Sequence, residues 1–250
     1  MRFFKQLIDF YINYSIHVAF GVFCLFQITK LDLLVSTDYS IDYFVFFGTI
    51  LSYNALKYYA PFKNHIFTLQ HNYLLVFVSL LAFFVAMYFY IQLSPNFKWA
   101  FVKIGFIVLL YPLLRKFGLF KMIVVSFCVT YITAYIPMVN HIIEYCYLLS
   151  RFIVVICLLL PLEIIDLNKD AETIYTIPQK IGIQNTKILG YCLLLIFCLL
   201  NPDITSFFIA LSIAISIFFV TEKRAKYYTS FWVESIPILW WIFIWIYKFS

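Results

Sequence analysis

Three carboxylates follow one another at a spacing that places them on one side of a helix. Glu163, Asp166 and Asp170 stand at positions i, i+3 and i+7, within a ten-residue stretch that holds four of the 12 acidic residues. Such carboxylates repel each other unless a cation lies among them, and Mg²⁺ is bound in proteins through one or two carboxylates plus substrate phosphates. The spacing therefore predicts a Mg²⁺ site on these three residues. A solvated turn, balanced by Lys169 and Lys180, explains the same pattern and stays open as the alternative.

The segment after the carboxylates contains the signals for a helix that ends and starts again. Thr176 precedes Pro178, and proline is favoured in the first turn of a helix. The free backbone N–H groups of a helix start bind anions, and Lys180 could add a contact to a phosphate. An ordinary return into the next apolar segment is the competing interpretation.

The composition limits the class of protein that can use these residues. The chain is 64% hydrophobic and only 12% charged, whereas soluble domains are roughly a quarter charged. This predicts an integral, multi-pass membrane protein surrounded by membrane lipids. The basic residues never form a run of five or six, so no nucleic-acid partner is expected. The six cysteines contain no C-x-x-C pair, which argues against a zinc site or a disulfide framework.

The apolar segments predict an all-α fold of nine transmembrane helices forming one domain, residues 1–250. Backbone groups in lipid must find hydrogen bonds within their own segment, so each apolar run is expected to be a helix. The runs are 7–29, 40–60, 72–93, 99–114, 122–139, 148–165, 186–200, 204–221 and 231–248.

The distribution of basic residues predicts the orientation. If the nine runs span the membrane, 13 of the 18 Lys and Arg residues lie on the side of the N-terminus. Cytoplasmic connections carry the excess of Lys and Arg. The N-terminus and the carboxylate segment are therefore expected in the cytoplasm, and the protein in the cell (inner) membrane.

The carboxylate segment resembles a known motif. "DLNKDAETIYTIPQKIG" is similar to the second aspartate-rich motif of the UbiA superfamily of membrane prenyltransferases, D-x-x-x-D followed by a T-x-P-x-x-x-G-like tail. The matching residues are Asp166, Asp170, Thr176, Pro178 and Gly182.

A second stretch supports the same resemblance. "YPLLRK" at residues 111–116 is similar to the family's Y-P-x-x-K-R and ends in Arg115 and Lys116. The resemblance implies a nine-helix UbiA-like bundle in which Asp166 and Asp170 hold Mg²⁺ and act in catalysis. It also implies an isoprenyl diphosphate donor and a lipophilic, often aromatic, acceptor. On this reading the substrate-binding residues are Asn54, Lys57, Arg115, Lys116, Lys180 and His17.

The first aspartate-rich motif of the family is missing. It should fall at "SYNALKYYAPFKNHI", where only Asn54 survives and Ala55 and Tyr58 replace the first two aspartates. Lys57 could supply positive charge to a diphosphate in place of a metal. The loss keeps a second interpretation open: a non-catalytic UbiA-fold membrane protein that binds a lipid or a partner protein. A transporter is less favoured, because no matching pair of broken apolar segments is visible.

Polar residues recur every four positions along the first apolar run. Asp9, Asn13, His17 and Gly21 would form one stripe on a continuous helix. The stripe could line an acceptor pocket in which Asp9 or His17 orients a phenol, or it could hydrogen-bond to neighbouring helices.

Two ionisable residues near the ends of other runs carry a similar ambiguity. Arg151 and Glu234 either serve a site or only extend to the membrane surface.

The orientation can be tested directly. A topology reporter fused after Asn201 is expected outside the cytoplasm and one fused after Tyr227 inside, because these connections lie on opposite sides in the predicted arrangement. Fluorescence or enzymatic reporters of compartment measure this. Reversed signals would overturn the orientation and, with it, the cytoplasmic carboxylate segment.

Overall fold

The regular elements are helices throughout the part of the chain that the computed structural model describes, residues 2–63, 69–114, 118–167, 176–225 and 227–249. The α-helices are α1 (Arg2–Asn13), α2 (Ile16–Asp32), α3 (Tyr39–Lys63), α4 (Leu69–Gln92), α5 (Pro95–Leu114), α6 (Gly118–Thr130), α7 (Tyr145–Ile165), α8 (Ile177–Leu200), α9 (Ile204–Phe219) and α10 (Ile236–Phe249). The chain also forms two π-helical segments and a 3₁₀ turn, at Tyr131–Tyr135, Tyr228–Val233 and Ile136–Met138 respectively.

Six helical segments among these residues are long and apolar enough to cross a membrane, and a seventh is added if α1 and α2 together form one bent span. Helix α9 is apolar but has only 16 residues, and α3 is long but is not among the six. The multi-pass, all-helical architecture is therefore supported. The count of nine spans and the cytoplasmic N-terminus stay predictions.

The sequence predicts one continuous helix for the first apolar run, but the structure has two helices there. Helices α1 and α2 meet at an angle of 60°, and Ser15 at the break has a positive φ of 62°. Polar side chains of α3 bind the break: Lys57 Nζ donates to the Asn13 backbone carbonyl at 3.0 Å, and the Ser15 hydroxyl donates to Asn54 Oδ1 at 2.6 Å. The break persists because α3 supplies these partners.

Helix α7 forms the centre of the bundle. It packs against α6, α8 and α9, and Val154, Cys157 and Leu160 are fully buried. In contrast, α4 exposes Phe77, Phe84 and other large apolar side chains. Since a lipid-facing surface is apolar, α7 is the inner helix and α4 a peripheral one.

Gly182 bends α8 near its start. Its φ of 81° and ψ of 161° are not helical, and a positive φ is easily adopted only by glycine. Thr186 Oγ1 donates to the Gly182 carbonyl at 2.8 Å. The last residue of the predicted motif therefore has a backbone reason to be glycine.

Gly190 allows α7, α8 and α9 to approach closely. A Cβ built there would lie 2.8 Å from Ile217 Cδ1 and 3.0 Å from Leu160 Cδ1, and both side chains are fully buried. We expect Gly190→Val to destabilise the protein by about 1–3 kcal/mol through overpacking. Thermal unfolding in detergent measures this effect. Gly105→Val is the matched control, because a Cβ at Gly105 meets nothing within 4 Å; equal losses in both variants would contradict the close approach.

Candidate functional site

The end of α7 presents two of the predicted carboxylates. Glu163 lies in the last turn and is buried, and Asp166 follows the last helical residue and is partly exposed. The Asp166 N–H donates to the Leu162 carbonyl at 2.9 Å, which closes the helix. Asp170 lies outside the described residues, and so do Arg115 and Lys116. Their predicted roles stay predictions.

A lysine supplies the positive charge that the carboxylate spacing requires. Lys121 Nζ, from α6, lies 3.1 Å from Glu163 Oε1, and both side chains are buried. A buried ion pair is costly to break, because removing one partner leaves an uncompensated charge. Glu163 is thus neutralised by a protein cation. Its predicted role as a metal ligand stays a prediction, since Mg²⁺ would compete with Lys121 for the same carboxylate.

A second group of residues is connected through Tyr53. Tyr53 on α3 is near enough to Asp166, Tyr111 and Glu234 to interact with each electrostatically. Tyr111 lies on α5, and Glu234 directly follows the π-helical segment Tyr228–Val233. We call these four residues the tyrosine–carboxylate cluster. Its members share an electrostatic interaction with Tyr53, and phenol hydroxyls can donate hydrogen bonds to an anionic ligand.

The sequence patterns indicate this cluster only in part. Asp166 was a predicted site residue, Tyr111 belonged to the second motif, and Glu234 was ambiguous. Tyr53 was missed. The available signal was that Tyr53 and Tyr111 both occupy the end of an apolar run on the side predicted to face the cytoplasm, next to Asn54 and Pro112 respectively.

Asn54 connects three helices. It accepts a hydrogen bond from Ser15 Oγ at 2.6 Å and donates through Nδ2 to Ser79 Oγ at 3.2 Å. It is buried. These bonds support a role in holding α2, α3 and α4 together, and its predicted contact with substrate stays a prediction.

Lys57 is partly exposed and binds the α1–α2 break through the Asn13 carbonyl. Tyr58, which stands where the family has an aspartate, donates through its hydroxyl to the same carbonyl at 3.2 Å. Two residues of the missing first motif therefore stabilise a broken helix. The diphosphate contact predicted for Lys57 stays a prediction.

The polar stripe of the first run contacts the segment at residues 227–235 in spite of the break. Asp9 accepts a hydrogen bond from Tyr227. His17 is buried, and its Nε2 lies 3.0 Å from the Phe231 carbonyl. A Cβ at Gly21 would lie 3.1 Å from the Glu234 carbonyl. These contacts favour the helix-locking interpretation of the stripe over an acceptor pocket, and substrate binding by His17 stays a prediction.

Helix α8 starts where the sequence predicted a restart. Thr176 is its N-cap, Pro178 is in the first turn, and Gln179 Oε1 accepts the Thr176 N–H at 2.8 Å. Gln179 Nε2 also lies 3.4 Å from the Leu167 carbonyl, which ties the restart to the end of α7. Lys180 is exposed in this first turn.

The Lys121–Glu163 pair can be tested by a double-mutant cycle. Glu163→Gln is expected to cost about 3–5 kcal/mol of stability, because it leaves the Lys121 charge buried without its carboxylate. Combining it with Lys121→Met should recover most of that loss. Thermal or denaturant unfolding in detergent measures Glu163→Gln, Lys121→Met and the double variant, with Lys103→Met as the exposed control. Losses that simply add would show that the two charges are not coupled.

Comparison with known proteins identifies the fold. No family model and no curated protein matches the sequence, but solved structures do. A UbiA homolog from Archaeoglobus fulgidus bound to DMAPP and Mg²⁺ matches with a TM-score of 0.60 at 10% identity, covering 93% of this chain and 98% of that one. The same homolog bound to GPP and Mg²⁺ gives 0.58 at 10% identity over 95% and 99%, and bound to Cd²⁺ it gives 0.54 at 11% over 95% and 99%. At such identities the likeness shows the fold, and the chain therefore has the fold of the UbiA homologs, as the motif at Asp166 had indicated.

Proposed function

We propose that this protein is a UbiA-fold prenyltransferase that moves an isoprenyl group from an allylic diphosphate to a lipophilic, in particular aromatic, acceptor. The observation that carries the proposal is the tyrosine–carboxylate cluster at the end of α7. It lies in a fold whose matched structures hold DMAPP or GPP with Mg²⁺. The excess of basic residues on the N-terminal side supports a site that faces the cytoplasm, within the cell membrane.

The described carboxylates could supply fewer ligands to Mg²⁺ than a site made wholly of protein groups. No group of three His, Cys, Asp or Glu side chains able to hold a metal is found among the residues that the structure describes. Asp166 is partly exposed, and Mg²⁺ needs only one or two protein carboxylates when substrate phosphates supply its other ligands. Asp166, with Asp170 as predicted from the motif, would hold the ion, and the ion would neutralise charge on the leaving diphosphate.

The chain's own residues would bind and orient the donor. The hydroxyls of Tyr53 and Tyr111 can donate to diphosphate oxygens, and the exposed Lys180 adds positive charge at the start of α8. Cleavage of the allylic C–O bond releases pyrophosphate and leaves an allylic cation, which aromatic faces stabilise. The acceptor then forms the new bond and loses a proton, and Glu234 is the carboxylate that we assign to receive it.

A second candidate function follows from the missing first motif. Ala55 and Tyr58 stand where the family has aspartates, Tyr58 binds the Asn13 carbonyl, and Asn54 holds neighbouring helices. A UbiA-fold protein that binds a lipid or a partner without catalysis would keep the helix bundle and would not need the aspartates of the first motif. Ligand binding and pyrophosphate release separate the two candidates.

The first experiment is a binding test on the purified protein. GPP with Mg²⁺ should raise the melting temperature, because a ligand that binds the folded state stabilises it by mass action. Asp166→Asn should weaken the binding of GPP with Mg²⁺ at least about tenfold, as expected when one charge-assisted contact is lost. Glu144→Gln is the matched control: it removes one exposed carboxylate just before the other end of α7.

Pyrophosphate release in the presence of membrane-extracted acceptors is the second measurement. Release that depends on Mg²⁺ and on Asp166 would support the transferase. Binding of GPP without any release would favour the non-catalytic candidate, and absence of both would overturn the diphosphate site.

A further inference from the structure

A polar cavity lies at the opposite end of α7 from the candidate active site. It has a volume of about 220 Å³, and Arg151 in its wall is 15 residues before Asp166, about 22 Å along the helix axis. The cavity is formed where the ends of α2 and α7, the α8–α9 connection and α10 meet. Its lining residues are Asp32, Leu33, Tyr147, Ser150, Arg151, Asn201, Asp203, Thr205, Ser206 and Trp240.

Arg151 is held rigidly in the cavity wall. The residue is 2% exposed, so it does not extend to the membrane surface, which was one of the two interpretations of its position in the sequence. Its Nη2 donates to Tyr147 Oη at 2.6 Å and to Thr29 Oγ1 at 3.2 Å. The guanidinium also lies 4.9 Å from the centre of the Trp240 ring. A side chain fixed by this many contacts is organised before any ligand binds.

Two donors in this wall have no hydrogen-bond partner among the residues that the structure describes. They are Arg151 Nη1 and Trp240 Nε1, and both nitrogens are buried. Buried polar groups are nearly always hydrogen-bonded, so an unpaired donor calls for an explanation. Both groups can only donate. The missing partner is therefore an acceptor-rich group, such as a phosphate or a carboxylate.

The same cavity also holds two carboxylates. Asp203 Oδ1 accepts from the Ser206 N–H at 2.8 Å and from the Thr205 hydroxyl. Asp32 accepts from Tyr147 Oη at 3.1 Å and lies 3.8 Å from Lys248 Nζ. Burial raises the pKa of Asp203, but these hydrogen bonds outweigh it and hold that pKa below its ordinary value, so Asp203 is charged at neutral pH. A purely anionic ligand would be repelled by this side of the cavity.

We propose that this cavity binds a zwitterionic phosphate ester that carries an ammonium group, namely the headgroup of an aminophospholipid such as phosphatidylethanolamine. Its phosphate accepts from Arg151 and Trp240, and its ammonium donates to Asp203, whose second oxygen keeps its lone pairs. Leu199 and Ile204, which flank the α8–α9 connection, are largely exposed and give the acyl chains an apolar surface beside the cavity mouth. The proposal does not depend on the transferase activity.

The test uses the full chain, purified without lipid in a neutral detergent. Phosphatidylethanolamine, phosphatidylcholine and phosphatidylglycerol are titrated separately, and bound lipid is counted by native mass spectrometry alongside the melting temperature. We expect phosphatidylethanolamine to bind at least about tenfold more tightly than the other two. Phosphatidylcholine has no N–H donor for Asp203, and phosphatidylglycerol has no cation.

Two variants and one control assign the effect to the cavity. Asp203→Asn keeps an acceptor for the α9 N-cap and should abolish the preference for phosphatidylethanolamine over phosphatidylcholine. Arg151→Lys should weaken all three lipids; if it fails to fold, Asp203→Asn alone decides. Asp38→Asn, an exposed carboxylate in the α2–α3 connection at the same end, should leave the preference unchanged.

Three outcomes would overturn the proposal. Equal binding of the three lipids to the unmodified chain would show that the cavity does not recognise the ammonium. A preference that survives Asp203→Asn would place the recognition elsewhere. Stabilisation by soluble O-phosphoethanolamine as strong as that by the lipid would support the headgroup chemistry but assign the site to a soluble ligand instead of a membrane lipid.

Discussion

The burial of α7 is the constraint on which the rest of the structure depends. A charge on a helix packed against α6, α8 and α9 is costly unless it is paired, because apolar side chains and lipid offer no hydrogen bonds. Its charged residues are therefore confined to its two ends, where other helices supply partners. Glu163 pairs with Lys121 at one end, and Arg151 donates hydrogen bonds to Tyr147 and Thr29 at the other. The two candidate sites lie at these ends for the same reason.

The two ends differ in how completely their charges are satisfied. The Lys121–Glu163 pair joins opposite charges at 3.1 Å and neutralises itself. At the other end, Arg151 and Trp240 each have one donor beside the cavity that no described residue accepts from. A self-neutralised pair positions neighbouring groups such as Asp166, whereas unpaired buried donors indicate space for a ligand.

The segment at residues 227–235 links the first helices to the candidate active site. Its π-helical turn brings Phe231 to His17 and places Glu234 beside both Gly21 and Tyr53. π-Helical turns are frequent at functional sites because they re-aim side chains without ending a helix. The polar stripe of the first apolar run therefore packs against this segment, since the close approach at Gly21 to the Glu234 carbonyl leaves little room for a larger side chain.

The sequence alone determined the class of the protein, the positions of most helices and the resemblance to the UbiA superfamily. These properties follow from composition, from apolar run lengths and from the local motif between Asp166 and Gly182, all of which involve residues close together in the chain. Tertiary structure alone decided the break at Ser15, the pairing of Lys121 with Glu163 and the interaction of Tyr53 with both Asp166 and Glu234. It also turned Arg151 inward to form a cavity wall. Each of these depends on partners that are distant in sequence, and local spacing carries no information about which distant helix supplies the partner.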